Sequence, residues 1–327
     1  MAPDTTRPHR RGYVLIAAAA CSWGGSAALG RAMFTSRLAA GSIAPVSPLI
    51  LTQTRISLAA LILLPALLWL RRGRVLVPAR DAVAGLLLGL VGMSVSNYFY
   101  YLAIERTNVA TAIVIQYTAP VWVLLYLVAR GRQAPSLRRI GAVALALLGI
   151  GLVLGLLNAG AALRLDLIGV AGALVAALAF AYYNVAGQIL ARRMDPVLIA
   201  LYMLVGAAVF FAFLHPPWRL WQAHYSHAEW GFFLVFSLLA TLAPTLLYIS
   251  GLQYLDATRA VVTSCLEPVS GILLAAVFLG ESLDGWRWLG VGCVIAAILL
   301  ISITAQSGEE QRNHHQPQND PVPDEKA

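Results

Sequence analysis

Long apolar stretches, separated by short loops that carry charge, Pro or Gly, run along almost the whole chain. A helix that crosses a membrane needs roughly 20 apolar residues. Ten stretches of about this length predict ten transmembrane helices. They cover residues 13–34, 47–70, 82–104, 107–129, 138–157, 167–190, 197–214, 230–252, 257–279 and 286–305. The pattern predicts an all-α polytopic membrane protein. The flanking residues 1–12 and 306–327 are polar, and we expect a cytoplasmic N-terminus and a disordered cytoplasmic tail.

The composition supports a membrane protein. Of the 327 residues, 59% are hydrophobic and 12% are charged, whereas about 25% are charged in soluble domains. The three cysteines, Cys21, Cys265 and Cys293, all lie inside predicted spans and indicate neither a disulfide framework nor a metal site. His215, His224 and His227 are too loosely spaced for a metal, and we expect them to be solvated.

The net charge of +8 comes almost entirely from arginine. Arginines cluster before the first predicted span and after the second, fourth and sixth, whereas the other loops hold mostly single arginines. The clustered residues are Arg7, Arg10, Arg11, Arg71, Arg72, Arg74, Arg80, Arg130, Arg132, Arg138, Arg139, Arg192 and Arg193. Positive loops stay in the cytoplasm, so the pattern predicts that both termini are cytoplasmic. This topological distribution argues against nucleic-acid binding.

The two halves of the chain resemble each other. "YYLAIERTNVATAIVIQYTAPV" at 100–121 aligns without a gap with "YISGLQYLDATRAVVTSCLEPV" at 248–269, which pairs Pro120 with Pro268. The repeat predicts two five-helix units, residues 13–157 and 167–305. Because five is odd, two such units in one chain must insert in opposite orientations. Inverted repeats are the usual construction of secondary transporters, with the substrate site between the repeats near the membrane midplane.

These segments, together with "ACSWGGSAALGRA" in the first span and "LEPVSGILLAAVFLGESLDGWRWLGVGCVIAAILL" at 266–300, resemble the EamA family of the drug/metabolite transporter superfamily. The resemblance covers about 12–305 and includes Gly280-Glu281 at the end of the ninth span. The first half departs from the pattern, because "ARGRQ" at 129–133 has no matching Glu. The resemblance implies ten helices, a central cavity and transport of small metabolites, without indicating one substrate.

Two formal charges lie inside predicted spans, Arg55 in the second and Glu267 in the ninth. A charge inside the membrane costs at least about 2.5–3.5 kcal/mol and is by default a functional candidate. Glu267 either takes up a proton or a cationic group, or hydrogen-bonds carbonyls that Pro268 leaves free. Arg55 is a possible charge partner of Glu267 or of a substrate carboxylate, or it extends toward the membrane interface.

Pro120 and Pro268 should each kink their helix and leave backbone carbonyls free, since proline lacks the N–H group of a helical residue. Either these bends serve alternating access or they are static kinks. Polar and aromatic residues at similar depths are candidates to line the cavity, although each aromatic could instead face lipid. They are Trp23, Asn97, Tyr101, Gln116, Tyr117, Asn184, Tyr248, Thr263 and Glu267, within a wider set that adds Ser26, Tyr98, Tyr183 and Gln188.

The sequence contains neither a phosphate-binding G-x-x-x-x-G-K-[ST] motif nor H-E-x-x-H. We therefore expect no ATPase activity, no cofactor and no enzymatic function. The prediction is a secondary transporter of a bacterial inner membrane that exports a small metabolite, such as an amino acid, and works as a monomer or homodimer in the bilayer. The alternatives are a facilitator of drugs or sugar-type metabolites, a membrane enzyme on lipid-linked substrates, and an accessory membrane subunit.

Overall fold

The computed structural model describes residues 6–34, 48–70, 74–156, 166–222, 224–279 and 283–314. Gly280 and Glu281 lie outside these residues, as do residues 1–5 of the predicted N-terminal segment and residues 315–327 of the predicted tail. The described residues form ten long helical elements and the short helix Trp218–Gln222. The long elements are α1 (Thr6–Phe34), α2 (Pro48–Leu70), α3 (Ala79–Arg106), α4 (Val109–Ala129), α5 (Leu137–Val153), α6 (Leu167–Ala191), α7 (Pro196–Leu214), α8 (His227–Gly251), α9 (Ala257–Phe278) and α10 (Gly285–His314).

The predicted all-α polytopic fold is confirmed. Eight of the described helices, α2 to α4 and α6 to α10, are long and apolar enough to cross a membrane. The elements α1 and α5 occupy the first and fifth predicted spans, and α5 has 17 residues. That all ten cross the bilayer stays a prediction.

The last helix ends later than the sequence predicts. It continues past residue 305 to His314, while a disordered cytoplasmic tail stays a prediction. Ala305, Gln306, Glu309, Glu310 and Gln311 have good helix propensity. Polarity alone therefore did not indicate where the helix ends.

Four helices, α3, α4, α8 and α9, are not uniform. Leu88–Val95 within α3 and Leu238–Leu242 within α8 are π-helical. In α4, Val109–Gln116 and Ala119–Ala129 are separate segments, and in α9, Ala257–Thr263 is followed by Leu266–Leu279. Pro120 and Pro268 each lie in the first turn after the break, where a missing N–H costs nothing. The irregularities occupy matching places in the two halves.

The packing of the helices follows the same correspondence. In the structure α1, from the first repeat, packs on α8 and on the second segment of α9, from the second; in turn α6, from the second repeat, packs on α3 and on α4, from the first. The pairs α2–α7 and α5–α10 also join the two halves, and each joins two corresponding helices. Corresponding helices thus meet corresponding partners, as expected for two related units, while their opposite orientation in a membrane stays a prediction.

Glycines allow the closest of these contacts. A Cβ atom on Gly149 of α5 would lie 2.9 Å from the Gly290 carbonyl oxygen of α10, and one on Gly89 of α3 would overlap the Met203 carbonyl oxygen of α7. Side chains larger than hydrogen do not fit at either position. The backbones of α3–α7 and α5–α10 therefore touch directly, which is the small-residue packing that membrane helices use.

One loop histidine is not simply solvated as expected. His215, at the end of α7, is half-buried, and its Nδ1 atom lies 2.8 Å from Oε1 of Gln53 in α2. The Gln53 amide also donates to the His215 carbonyl oxygen at 2.5 Å. Gln53 is a buried polar side chain, and this pairing satisfies it.

Candidate functional site

Arg55 lies where α2 meets both the π-segment of α8 and the part of α3 that follows its π-segment. Its Nη2 atom donates to Oδ1 of Asn97 at 2.9 Å, and its Nη1 atom lies 3.5 Å from the carbonyl oxygen of Ala240, inside the π-segment of α8. Ser237, next to that segment, donates its hydroxyl to the Arg55 carbonyl at 2.6 Å. Residues from both halves of the chain therefore form hydrogen bonds with Arg55.

Asn97 is positioned by the π-segment of α3. Its Nδ2 atom donates to the carbonyl oxygen of Met93, within that segment, at 2.7 Å. This bond fixes the amide so that its oxygen faces Arg55. π-helical turns leave backbone carbonyls less tightly paired and are frequent at functional sites. Both π-segments here supply an acceptor that orients the Arg55–Asn97 pair.

Glu267 lies just after the break in α9, in the first turn of Leu266–Leu279. The positive end of a helix dipole stabilises a negative charge at this position. The phenol of Tyr117, at the matching break of α4, lies beside the Glu267 carboxyl group and can donate a hydrogen bond to it. Tyr100 and Arg55 are also near enough to interact with it electrostatically. Glu267 as a residue is partly accessible.

An aromatic wall joins α1, α8 and α6 beside this centre. The rings of Trp23 and Tyr248 lie 5.2 Å apart, and those of Tyr248 and Tyr183 lie 5.7 Å apart. Tyr248 donates its hydroxyl to Oδ1 of Asn184 at 2.6 Å, and Asn184 donates to the Phe180 carbonyl at 2.8 Å. Tyr248 and Asn184 have no exposed surface, so in this conformation they support the wall, while Trp23 is partly accessible.

The remaining predicted residues occupy separate positions. Gln116 donates to the hydroxyl of Ser96 at 3.3 Å, and Tyr101 packs against Tyr100. Thr263 is buried and donates to the Arg259 carbonyl at 2.7 Å. The structure thus brings Arg55, Asn97, Tyr117 and Glu267 together as one group. Thr263 is buried in this conformation and does not belong to the group. That Pro120 and Pro268 act in gating stays a prediction.

Three contributors to the group were missed by sequence reasoning: Tyr100, Ser237 and the carbonyl oxygen of Ala240. Tyr100 could have been found, because the repeat pairs it with Tyr248, which was included. Backbone carbonyls of π-segments leave no signal in hydropathy. Ser237 is one of many small residues in apolar helices and has no distinctive spacing.

A lateral cavity of about 440 Å³ lies between α2, α7 and the beginning of α8. Its wall is formed mainly by apolar side chains, such as Leu58, Leu61, Val205 and Trp230. None of the predicted site residues lines it. A pocket of this chemistry suits hydrocarbon chains and offers no charged group to orient a polar solute.

The site that these residues form defines a class of protein. This protein is a multi-pass helical membrane protein with two related halves. Charged and hydrogen-bonding side chains at the junction of these halves are partly accessible. Among the described residues, no group of His, Cys, Asp and Glu could hold a metal ion. This arrangement is typical of secondary transporters built from repeats.

Comparison with known proteins agrees with this class. The model of the EamA-like transporter family matches residues 10–155 and again residues 167–303. The chain therefore belongs to the EamA-like transporter family, and the resemblance found in its sequence is confirmed.

Similar proteins include several transporters. One is an uncharacterized inner membrane transporter, YicL, of Salmonella typhimurium, 25% identical over 91% of this chain and 97% of its own length. Another is the threonine/homoserine exporter RhtA of Escherichia coli, 27% identical over 70% of this chain and 74% of its own. The uncharacterized transporter YwfM of Bacillus subtilis is 30% identical over 66% and 72%, respectively.

A solved crystal structure has the same fold. It superposes with a TM-score of 0.68 at 18% identity and covers 88% of this chain and 97% of the other.

Proposed function

We propose that this protein exports a small metabolite, such as an amino acid or a related amphipathic compound, across the inner membrane by alternating access. The observation that carries the proposal is the group formed by Arg55, Asn97, Tyr117 and Glu267. Its members come from both halves of the fold, and Arg55, Asn97 and Glu267 are partly accessible although they lie within apolar helices. Ionisable groups placed in this way inside a membrane usually mark a transport pathway.

The relatives support export. The similar proteins include threonine/homoserine exporters, and YicL and YwfM are named transporters. At 27% identity the substrate does not transfer with the name, but the transport role is common to them. The predicted cytoplasmic termini would place the start of α9 on the cytoplasmic side.

The breaks in α4 and α9 supply a place where access can change. Each lies at the level of the site, with Tyr117 at one break and Glu267 directly after the other. A rotation of the first segment about its break would open one side of the site and leave the second segment in place. Such a motion is the hinge type of domain closure, in which a few residues absorb the backbone change.

The test is transport by purified protein in liposomes. Vesicles are loaded with a panel of amino acids, sugars and amphipathic drugs, and release is measured with and without an imposed pH gradient. The wild type is compared with Glu267→Gln, and with Glu105→Gln as a matched control at an exposed position of α3. We expect release of one class of compound, reduced in Glu267→Gln alone.

The outcomes separate the alternatives. Release driven by the pH gradient and lost in Glu267→Gln would identify Glu267 as the coupling residue. Equal, gradient-independent release by both variants would identify a facilitator. Release of sugars or drugs but not amino acids would favour the other substrate classes of the superfamily, and no release of any compound would contradict the transport proposal.

A further inference from the structure

The lateral cavity between α2, α7 and the beginning of α8 is separate from the group around Arg55. Arg55 bonds to α3 and to the π-segment of α8, and it does not line the cavity. All three helices of the wall are long and apolar enough to cross a membrane. Leu61 and Val209 of the wall are 66% and 45% exposed. The cavity therefore opens sideways, toward the lipid.

One end of the cavity lies where the membrane meets water. Gln53 of α2 and His215, directly after α7, are hydrogen-bonded to each other, so the start of α2 and the end of α7 are at the same level. Pro217, Leu220 and Trp230, from the connection between α7 and α8 and the first turn of α8, line the cavity at this level. These three residues form the outer end of the cavity.

From its outer end the cavity extends to about the depth of one lipid leaflet. On α2 the wall runs from Thr54 to Leu64, ten residues farther along, which is about 15 Å in a helix. On α7 it runs from Ala212 back to Val205. The hydrocarbon core of a bilayer is about 30 Å thick, so one leaflet is about half of this. The Thr54 hydroxyl is satisfied by the Ile50 carbonyl at 2.8 Å, and the wall is suited to hydrocarbon along this depth.

A positive charge stands beside the outer end. Arg219 lies between two residues of that end in the chain and is exposed. Its neighbour Trp218 is 64% exposed, as is common for tryptophan at the membrane interface. The acidic residue nearest in sequence, Glu229, is buried, and its Oε2 atom accepts hydrogen bonds from the backbone N–H and the hydroxyl of Ser226 at 2.7 and 2.8 Å. The exposed charge at this level is therefore that of Arg219.

We propose that the cavity binds one acyl chain of an anionic phospholipid, with the phosphate of the headgroup at Arg219. The apolar depth matches the chain, and arginine is well suited to phosphate oxygens. A helix of a second copy, about 10–12 Å across, does not fit in about 440 Å³ over this length. Lipid tails are as apolar as the wall, so the chain gains little by leaving the bilayer. The preference for one lipid over another therefore comes from the headgroup.

Native mass spectrometry of the full chain tests the proposal without any transport assay. Purified, delipidated protein is titrated in detergent with phosphatidylglycerol or phosphatidylcholine of the same chains. We expect one retained lipid, with phosphatidylglycerol bound about fivefold more tightly, as one arginine near an anionic headgroup provides. A phosphatidylglycerol with brominated chains should also quench tryptophan fluorescence less in Trp230→Phe than in the wild type, because Trp230 lines the cavity.

Two variants separate the chain from the headgroup. Arg219→Gln should remove the preference and leave the two lipids bound equally. Ala208→Phe, which places a ring in the wall of the cavity, should weaken the binding of both lipids about tenfold. Arg106→Gln and Ala171→Phe, at exposed positions of α3 and α6, are the matched controls and should bind both lipids as the wild type does. The melting temperature identifies a variant that fails to fold, and Arg219→Gln changes only an exposed side chain.

Several results would overturn the inference. Equal binding of the two lipids by the wild type would remove the headgroup contact. Wild-type binding by a folded Ala208→Phe protein, or equal quenching in Trp230→Phe, would place the chain elsewhere. A dimer that Ala208→Phe dissociates, with no lipid retained by the wild type, would make this face an interface between copies. None of these results bears on the proposed transport function, which stands or falls with flux in liposomes.

Discussion

The first segments of α4 and α9 have related sequences but different surroundings. Val109 at the start of α4 is 53% exposed, whereas Ala257, which aligns with it, is 0% exposed. Along Ala257–Thr263 every residue except Arg259 is buried, whereas most residues of Val109–Gln116 are exposed or partly accessible. Two segments that the repeat makes equivalent are therefore not equivalent in this conformation.

Specific contacts cover the beginning of α9. Thr258 donates to Oε1 of Gln133, in the loop after α4, at 2.9 Å, and Gln188 of α6 donates to the Leu255 carbonyl at 3.2 Å. Nδ1 of His9 in α1 lies 2.8 Å from the Tyr254 carbonyl oxygen. The start of α9 also packs on α1, α4 and α6. In the described part of the chain, the start of α4 packs on α6 and on the end of α3 but not comparably against α1 and α9.

The comparison teaches that in this conformation the start of α9 is covered and the start of α4 is exposed. In the proposed alternating-access mechanism, the covered start of α9 would be the closed side of the site. Interconversion of two such arrangements is what alternating access between inverted repeats requires. Four experiments test or sharpen this difference.

The largest expected effect is on the labelling of cysteines introduced at the two positions. In a background where Cys21, Cys265 and Cys293 are replaced by alanine, Val109→Cys and Ala257→Cys are treated with a water-soluble maleimide in detergent. Val109→Cys should react at least about tenfold faster, because labelling of Ala257→Cys needs a minor opened state. Equal rates, measured by mass spectrometry, would mean that the closed side is not closed in solution.

The second effect is on the contact that holds α1 against α9. A Cβ at Gly24 would overlap the Glu267 carbonyl and lie 2.7 Å from the Gly271 nitrogen, whereas one at Gly25 would meet only Leu274 at 3.3 Å. Gly24→Ala should therefore destabilise the protein by about 1–3 kcal/mol through overpacking. The melting temperature of Gly25→Ala should stay close to that of the wild type. A stable Gly24→Ala protein would show that the two helices can separate without cost.

The third effect concerns one buried threonine in each segment. Thr258→Val removes the hydrogen bond to Gln133 and should weaken the closed side by about 0.5–1.5 kcal/mol, seen as faster labelling of Ala257→Cys. Thr111 of α4 is also buried, but its hydroxyl has no partner in the described residues. Thr111→Val should therefore leave labelling and stability unchanged or improved. The same response to both changes would contradict the assignment of the Thr258 bond to the closed side.

The smallest effect concerns Arg11, whose guanidinium carbon lies 5.4 Å from the centroid of the Tyr254 ring. Arg11→Gln should cost the closed side about 0.5–1 kcal/mol, as expected for an exposed cation–π contact. Labelling of Ala257→Cys should then rise by a few-fold at most. Arg10→Gln, at an exposed neighbouring position, is the control. An effect of Arg10→Gln as large as that of Arg11→Gln would indicate a general charge effect on labelling.

Much of the fold could be predicted from the sequence. Hydropathy located the helices, because a membrane-spanning helix needs a long apolar stretch of its own sequence. The prolines located the irregularities at Pro120 and Pro268, because the missing N–H group affects the helix at that residue. Arg55 and Glu267 could also be selected, since a charge within an apolar span is conspicuous. The π-segments could not be predicted, because they depend on how α3 and α8 pack against their neighbours.

The sequence by itself determined that this chain forms apolar helices in two related sets with two charges inside them. Hydropathy, proline and the repeat are properties of the residues and need no knowledge of their neighbours. Only the tertiary structure decided that Asn97 and Ala240 hold Arg55, that Tyr117 is beside Glu267, and that the start of α9 is covered while that of α4 is not. These features depend on contacts between residues far apart in the chain. Two segments of related sequence, such as the starts of α4 and α9, can therefore form different contacts.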